Sequence, residues 1–391
     1  MTDLQDCETW RRDPDEPVTI VGAGPAGLAC AIVLARAGRE VVVREWHADV
    51  GHRFHDDYQG LENWSHDGDV LEELAAAGVE PSFAYHPVHR GTAFDAWGAS
   101  YPVEGRRPLY YLVRRGRSSG SLDQGLLAQA RALGVTVNFN DRVKKTNGPT
   151  VLGIGPRTAD AIATGYVFET DLEDGNWVAF NNRLAPLGYS YLLIHNGRGT
   201  LASCMFKGFK RQQEYVARTV EFFDEKVGLV MRNKRSFGGY ANFRLPRRGA
   251  RRGGHTVIGE QAGFQDALAG FGMWYALRSG ILAARSILDG VSYENLWRAE
   301  LLPKLRTGVA NRFIFNTVGE RGWRWALNGL SNSDTEAKLQ KLYRPSLLTR
   351  LVYPIAYWRY RIPLRDPSCD HVDCACVWCR HSVAHSGPES A

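Results

Sequence analysis

VTIVGAGPAGLACAIVLARAGREVVVRE, residues Val18–Glu45, is the stretch from which the rest of the chain is read. Val18–Val21 is a short β-branched run and predicts a strand. Gly22-Ala23-Gly24-Pro25-Ala26-Gly27 supplies a G-x-G-x-x-G turn, and Leu28–Ala37 predicts a helix that stops at Gly38. Glu40–Arg44 is a second β run, followed at once by the acid Glu45. Gly22 permits the tight turn, Gly24 lets backbone approach a pyrophosphate, and Gly27 lets helix and strand pack closely. The N-terminal N–H groups and positive dipole end of that helix suit phosphates, and Pro25 and Ala26 of the turn join the glycines as candidate cofactor contacts. Glu45 stands where an acid accepts hydrogen bonds from a ribose 2′-OH, so adenosine with a free ribose, as in FAD or NAD, fits this site.

The chain has 391 residues, 44% of them hydrophobic, enough for a large core in two or three domains. No apolar run approaches the length of a membrane-spanning helix. The polar, acidic start MTDLQDCETWRRDPDEP has no apolar secretory core, so cytoplasmic residence is the default expectation. A net charge of +6 comes largely from local clusters such as Arg244–Arg252, without a nucleic-acid-binding motif, and no nucleic acid is expected as partner.

There are no internal repeats. Trp46–Ser65 reads as a loop-rich stretch dense in His and Asp, Asp69–Gly78 as a short helix, and Ser121–Leu133 as an amphipathic helix ending at Gly134. Tyr166 to Tyr240 reads mainly as strands with one helix, Gln212–Lys226. The expected fold class is α/β: a discontinuous Rossmann-like FAD-binding domain, an inserted antiparallel-sheet substrate domain and a C-terminal helical region. Residues 17–80, 110–165 and 241–290 form the first, 81–109 and 166–240 the second, and 291–366 the third, before a Cys-rich tail at 367–391.

A second glycine cluster lies far along the chain. His255–Gly263 predicts a strand ending at Gly259-Glu260, then a turn to Gly263. Ala269-Gly270-Phe271-Gly272 precedes a helix over Met273–Leu288 with small residues at Ala276, Ser279, Gly280, Ala283 and Ala284. An acid at a strand end can hold a ribityl hydroxyl, and glycines opening a helix let its N–H groups reach the pyrimidine side of an isoalloxazine.

GEQAGFQDALAGFGMWYALRSGILAA resembles the ribityl- and ring-binding motif of the geranylgeranyl reductase family, within the FAD enzymes of aromatic-hydroxylase architecture; its second half matches closely. YLVRRGRSSGSLDQGLLAQARALGV resembles that family's central segment, and implies that Arg114 or Arg115 lies near the phosphates or ribityl chain. Gly188-Tyr189-Ser190-Tyr191 resembles the family's substrate segment, which makes Tyr189 and Tyr191 candidate substrate contacts. The resemblance runs over roughly Val18 to Leu288 and implies FAD as cofactor. It departs at Glu260, where the family has Asp, and at Asp266-Ala267, where the family has Asn-Pro, a rigid turn beside the flavin.

Such a reductase requires little acid–base machinery: the protein places an alkene against the reduced flavin and excludes water. Tyr166, Phe168, Trp177, Phe180, Tyr189, Tyr191, Phe206 and Trp274 are candidates for an apolar pocket, and Tyr189 or a His of the 47–66 loop for the proton. Only one dinucleotide fingerprint is present, so electrons come from transiently docked NAD(P)H or from a ferredoxin-like carrier. Cys369, Cys374, Cys376 and Cys379 crowd into CDHVDCACVWC, a density that suits zinc, an iron–sulfur centre or a reversible disulfide. Leu351–Leu364, LVYPIAYWRYRIPL, interleaves aromatics with Arg359 and Arg361 and fits peripheral membrane contact. Three readings follow: reduction of carbon–carbon double bonds in an isoprenoid or other apolar substrate, a flavin monooxygenase or halogenase of the same fold, and a non-catalytic redox- or metal-sensing flavoprotein.

Overall fold

The computed structural model describes residues 16–146, 150–156, 159–243, 249–331 and 333–360. In chain order these form β1 (Val18–Val21), α1 (Pro25–Arg36), β2 (Val41–Arg44), β3 (Asp57–Glu62), α2 (Val70–Ala76), β4 (Tyr85–Val88), β5 (Arg90–Phe94), β6 (Ser100–Glu104) and β7 (Tyr110–Arg115). There follow α3 (Leu122–Ala132), β8 (Thr136–Asn138), β9 (Thr150–Leu152), β10 (Ala161–Glu169), β11 (Gly175–Ala179), β12 (Tyr189–His195), β13 (Arg198–Met205) and α4 (Gln212–Val227). The remainder is β14 (Arg232–Ala241), β15 (Arg251–Arg252), β16 (His255–Val257), α5 (Met273–Asp289), α6 (Tyr293–Glu300), α7 (Leu302–Ser331), α8 (Thr335–Tyr343) and α9 (Leu347–Tyr360).

The short apolar runs β1, β2, β9 and β16 pair in parallel, and with β8 and β15 they make one sheet in the order β15-β16-β9-β1-β2-β8. Three stretches of sequence far apart therefore share it, with α1 packed against it and α5 against α1. Gly280 sets that helix spacing, since a Cβ there would lie 2.0 Å from the Ala26 carbonyl. The core of this half runs from Ile20 through Leu28 and Ile32 to Leu277 and Trp297.

A second sheet, in the order β14-β10-β13-β12-β11-β5-β6, draws β5 and β6 from before the central segment and the rest from after it. On β12, Ser190, Leu192 and Ile194 turn toward α4, where Ser190 meets Thr219 at 3.0 Å and Leu192 joins Phe223. Tyr189, Tyr191 and Leu193 turn the other way.

A third, small sheet, β3-β7-β4, lies between the two. Trp46–Ser65 reads from its sequence as loop because Asp57–Glu62 lacks alternating hydrophobicity; that segment is strand, its extension owed to pairing with β7. The C-terminal helices close the end of the molecule, with α7 broken at Gly319 (φ 59°). The Cys369–Cys379 cluster and Arg361 lie outside the described residues.

Candidate flavin site

β1 runs into Gly22, whose φ of 106° and approach to the Gly153 carbonyl (2.4 Å from an added Cβ) admit only glycine. Gly27 is equally constrained, at 2.0 Å from the Gly22 carbonyl. Gly24 differs: nothing lies within 4 Å of its Cβ position, and it begins α1 with no side-chain cap. The first-turn N–H groups of a 12-residue helix thus begin beside open space, an arrangement suited to an anion. At its rim Glu45 accepts hydrogen bonds from Ala23 N (2.8 Å) and His47 N (2.9 Å). Each carboxylate oxygen retains a further acceptor site for a ribose hydroxyl.

The second glycine cluster touches the first. Gly259 (φ 63°) donates to Ser279 Oγ at 2.8 Å, and an added Cβ would stand 3.0 Å from Ala26 Cβ. Glu260 follows in a 3₁₀ turn, Gly259–Ala262, that ends on Gly263 (φ 78°). Burial pushes its carboxyl upward, opposed by Arg53, whose guanidinium donates to it at 3.1 Å and to the Tyr240 carbonyl at 2.9 Å. Gly270 and Gly272 then open α5, a 17-residue helix, again with no side-chain cap. Gln265 donates to Gly270 O at 2.6 Å, while its Oε1 is buried without a hydrogen-bond partner among the described residues.

The turn before α5 keeps its rigidity although Asn-Pro is replaced by Asp266-Ala267. Asp266 accepts from Leu268 N (3.0 Å), Ala269 N (2.6 Å) and the Tyr343 hydroxyl (2.9 Å). From α7, the fully buried Arg312 donates to Ala267 O at 2.9 Å, to Leu187 O at 2.5 Å and to Leu268 O, and lies 3.7 Å over the Phe206 ring. Burial lowers its pKa to about 10, so it stays charged at neutral pH.

Against this loop stands the outer face of the second sheet. The Tyr189 hydroxyl donates to Ala269 O at 2.5 Å, and its ring neighbours Phe180 (6.1 Å) and Tyr191 (6.3 Å). Cys204, opposite Tyr189 on β13, has its thiol pushed up to about 12 by burial. Burial also holds both phenols neutral. Of the other aromatic candidates, Phe206 belongs to this wall, whereas Phe168, Trp177 and Tyr166 fill the core under α4. Trp274 is buried behind α5, donating to Glu73. The histidines of 47–66 stand elsewhere: His47 and His52 stack on each other at 4.0 Å, His55 lies 6.4 Å from Phe237 on β14, and His66 packs on Trp274.

Arg114 is not brought to this site. It donates to Ser119 O at 2.8 Å, and the alternation of β7 turns it away from Arg115. Arg115 is the buried member, paired with Asp123 through two 2.9 Å bonds and close enough to lower the Glu260 carboxyl. Three groups escaped the sequence reading. Arg53 carries no periodic signal. Arg312 had one, a lone cation inside the apolar run GVANRFIF. Glu62, completely buried beside Asp266, has its carboxyl pushed up to about 8 by burial, and neither oxygen closes a hydrogen bond among the described residues. Among those residues no group of His, Cys, Asp or Glu is placed to hold a metal ion.

An NAD(P)-binding Rossmann-like domain model matches residues 20–86. Over 57 residues the chain is 44% identical to the Escherichia coli (strain K12) protein named "Putative oxidoreductase UacF"; the match spans 13% of this chain and 9% of that protein. A geranylgeranyl bacteriochlorophyll reductase-like protein of Thermoplasma acidophilum superposes with a TM-score of 0.61 at 15% identity, over 88% of this chain and 99% of its own. The flavin-dependent brominase Bmp2 gives 0.62 at 15% identity, over 88% and 98%. The fold is that of the FAD-dependent oxidoreductases. The residues fit that cofactor: an open cradle at Gly24, two helix starts without side-chain caps, an acid at each of two strand ends, and the unsatisfied Gln265 Oε1 beside Gly270.

Proposed function

We propose that this chain is an FAD-dependent oxidoreductase that reduces carbon–carbon double bonds of an isoprenoid or similarly apolar substrate. The bond from Tyr189 to Ala269 O carries the reading, since it fastens an aromatic wall directly to the glycine loop that opens α5. The α1 start and Gly24 would hold the pyrophosphate, Glu45 the adenosine ribose, Glu260 with Arg53 the ribityl chain, and Gly270 to Gly272 the ring. When bound and reduced, FAD supplies hydride. Phe180, Tyr189, Tyr191 and Phe206 exclude water and present an apolar chain to that ring. Tyr189 Oη and Cys204 Sγ keep their protons through neutral pH, and the Tyr189 proton is held on Ala269 O, so Tyr189 acts here as the anchor of the wall. The structural likeness to a brominase keeps an oxygen-using flavoenzyme as the rival.

Anaerobic photoreduction of the purified protein separates the readings. Reoxidation by an unsaturated isoprenoid in the absence of oxygen supports the reductase. Reoxidation by oxygen alone, with formation of a hydroperoxyflavin spectrum, overturns it in favour of the monooxygenase or halogenase.

A further inference from the structure

Helix α9 has two unlike faces. Thr349, Tyr353, Ala356 and Tyr360 turn inward, where Ala356 packs with Val309 and Ala267, and Tyr360 accepts a 2.8 Å hydrogen bond from Asn316. On the opposite face Leu347, Leu348, Leu351, Ile355 and Trp358 are 78, 61, 75, 58 and 62% exposed. At 100° per residue these five fall within one stripe a little over a quarter-turn wide. A single exposed leucine is ordinary; five large apolar side chains in one stripe are not. Arg350 and Arg359, both exposed, stand on its two edges, and Leu347–Tyr360 contains no acid at all.

We propose that α9 lies in the surface of an anionic lipid bilayer, its leucines, Ile355 and Trp358 at the acyl boundary and Arg350 and Arg359 against the headgroups. A stripe that projects rather than forming a groove, rimmed by cations only, on a chain of net charge +6, is complementary to such a surface. The same helix covers Ala267, in the loop leading to Gly270. Lipid contact and the apolar wall are thus one helix apart, which deepens the proposed function by giving a water-insoluble substrate a route from the bilayer.

The test is co-sedimentation of the full chain with phosphatidylcholine vesicles, with and without phosphatidylglycerol. Binding to the anionic vesicles that weakens with added salt is expected. Leu351→Glu with Ile355→Glu should lower it on the order of tenfold or more, and Arg350→Glu with Arg359→Glu on the order of tenfold for anionic vesicles only, with thermal stability and flavin content unchanged. The proposal is overturned if the wild type binds no vesicles or the variants bind like it. It is also overturned if the wild type is a dimer that the Leu351/Ile355 variant converts to monomer, since a second copy then covers the stripe. Vesicle binding that appears only when the chain is cut after Tyr360 overturns it too, in favour of the chain's own C-terminal segment. Reduction of a detergent-dispersed alkene is measured separately: its failure with vesicle binding intact overturns the reductase reading and leaves this face standing.

Discussion

Glu62 and Arg312 sit on either side of the loop that opens α5, and each is buried with its charge chemistry exposed to test. Glu62 takes its proton from burial: folded, it titrates at about 8, against an ordinary value near 4.5. Between those two values the folded state binds the extra proton, so stability falls as pH rises through that window. The Glu62 share is on the order of 5 kcal/mol at most. Urea unfolding at pH 5 and pH 8 should show the wild type losing stability between them and Glu62→Gln losing much less; equal losses in both proteins would contradict the assignment. Arg312 is a positioning residue that spans three backbone carbonyls. Arg312→Met leaves those carbonyls buried and unmet, at a cost of about 2–4 kcal/mol. It should also weaken flavin retention, and a denaturation midpoint and flavin content like the wild type would refute the role.

At the scale of elements, the approach of α5 to α1 joins the two glycine clusters. Gly280→Ala places a methyl 2.0 Å from the Ala26 carbonyl and forces the helices apart, costing on the order of 1–3 kcal/mol and the register of Gly259 against Ala26. Loss of bound flavin is expected, while Gly239→Ala, where an added Cβ meets nothing within 4 Å, should behave as wild type. These elements were legible because their signals are local: β-branched runs, glycine turns and helix stops identified β1, β2, α3, α4 and α5 within a residue, and α1 by its end, while its start lies three residues before Leu28. β3 was not legible, since its strand form comes from β7, far along the chain. Arg53 was missed for the same reason: it meets its partner Glu260 across 207 residues. The choice of Arg115 over Arg114 turns on strand parity, which a run of two arginines conceals.

Over the whole molecule, three separated pieces of sequence build one mainly parallel sheet, and the intervening pieces build the aromatic wall that meets the loop opening α5. Among the described residues no helix is long and apolar enough to cross a membrane, so lipid contact at α9 would be lateral. The central claim is that the α1 and α5 helix starts grip opposite ends of one FAD. The most direct measurement is the absorption spectrum of the purified full-length chain, with its flavin quantified after release by denaturation. FAD in stoichiometric amount, depleted by Gly280→Ala, is the predicted result. A colourless protein that takes up no FAD when the cofactor is supplied would contradict it.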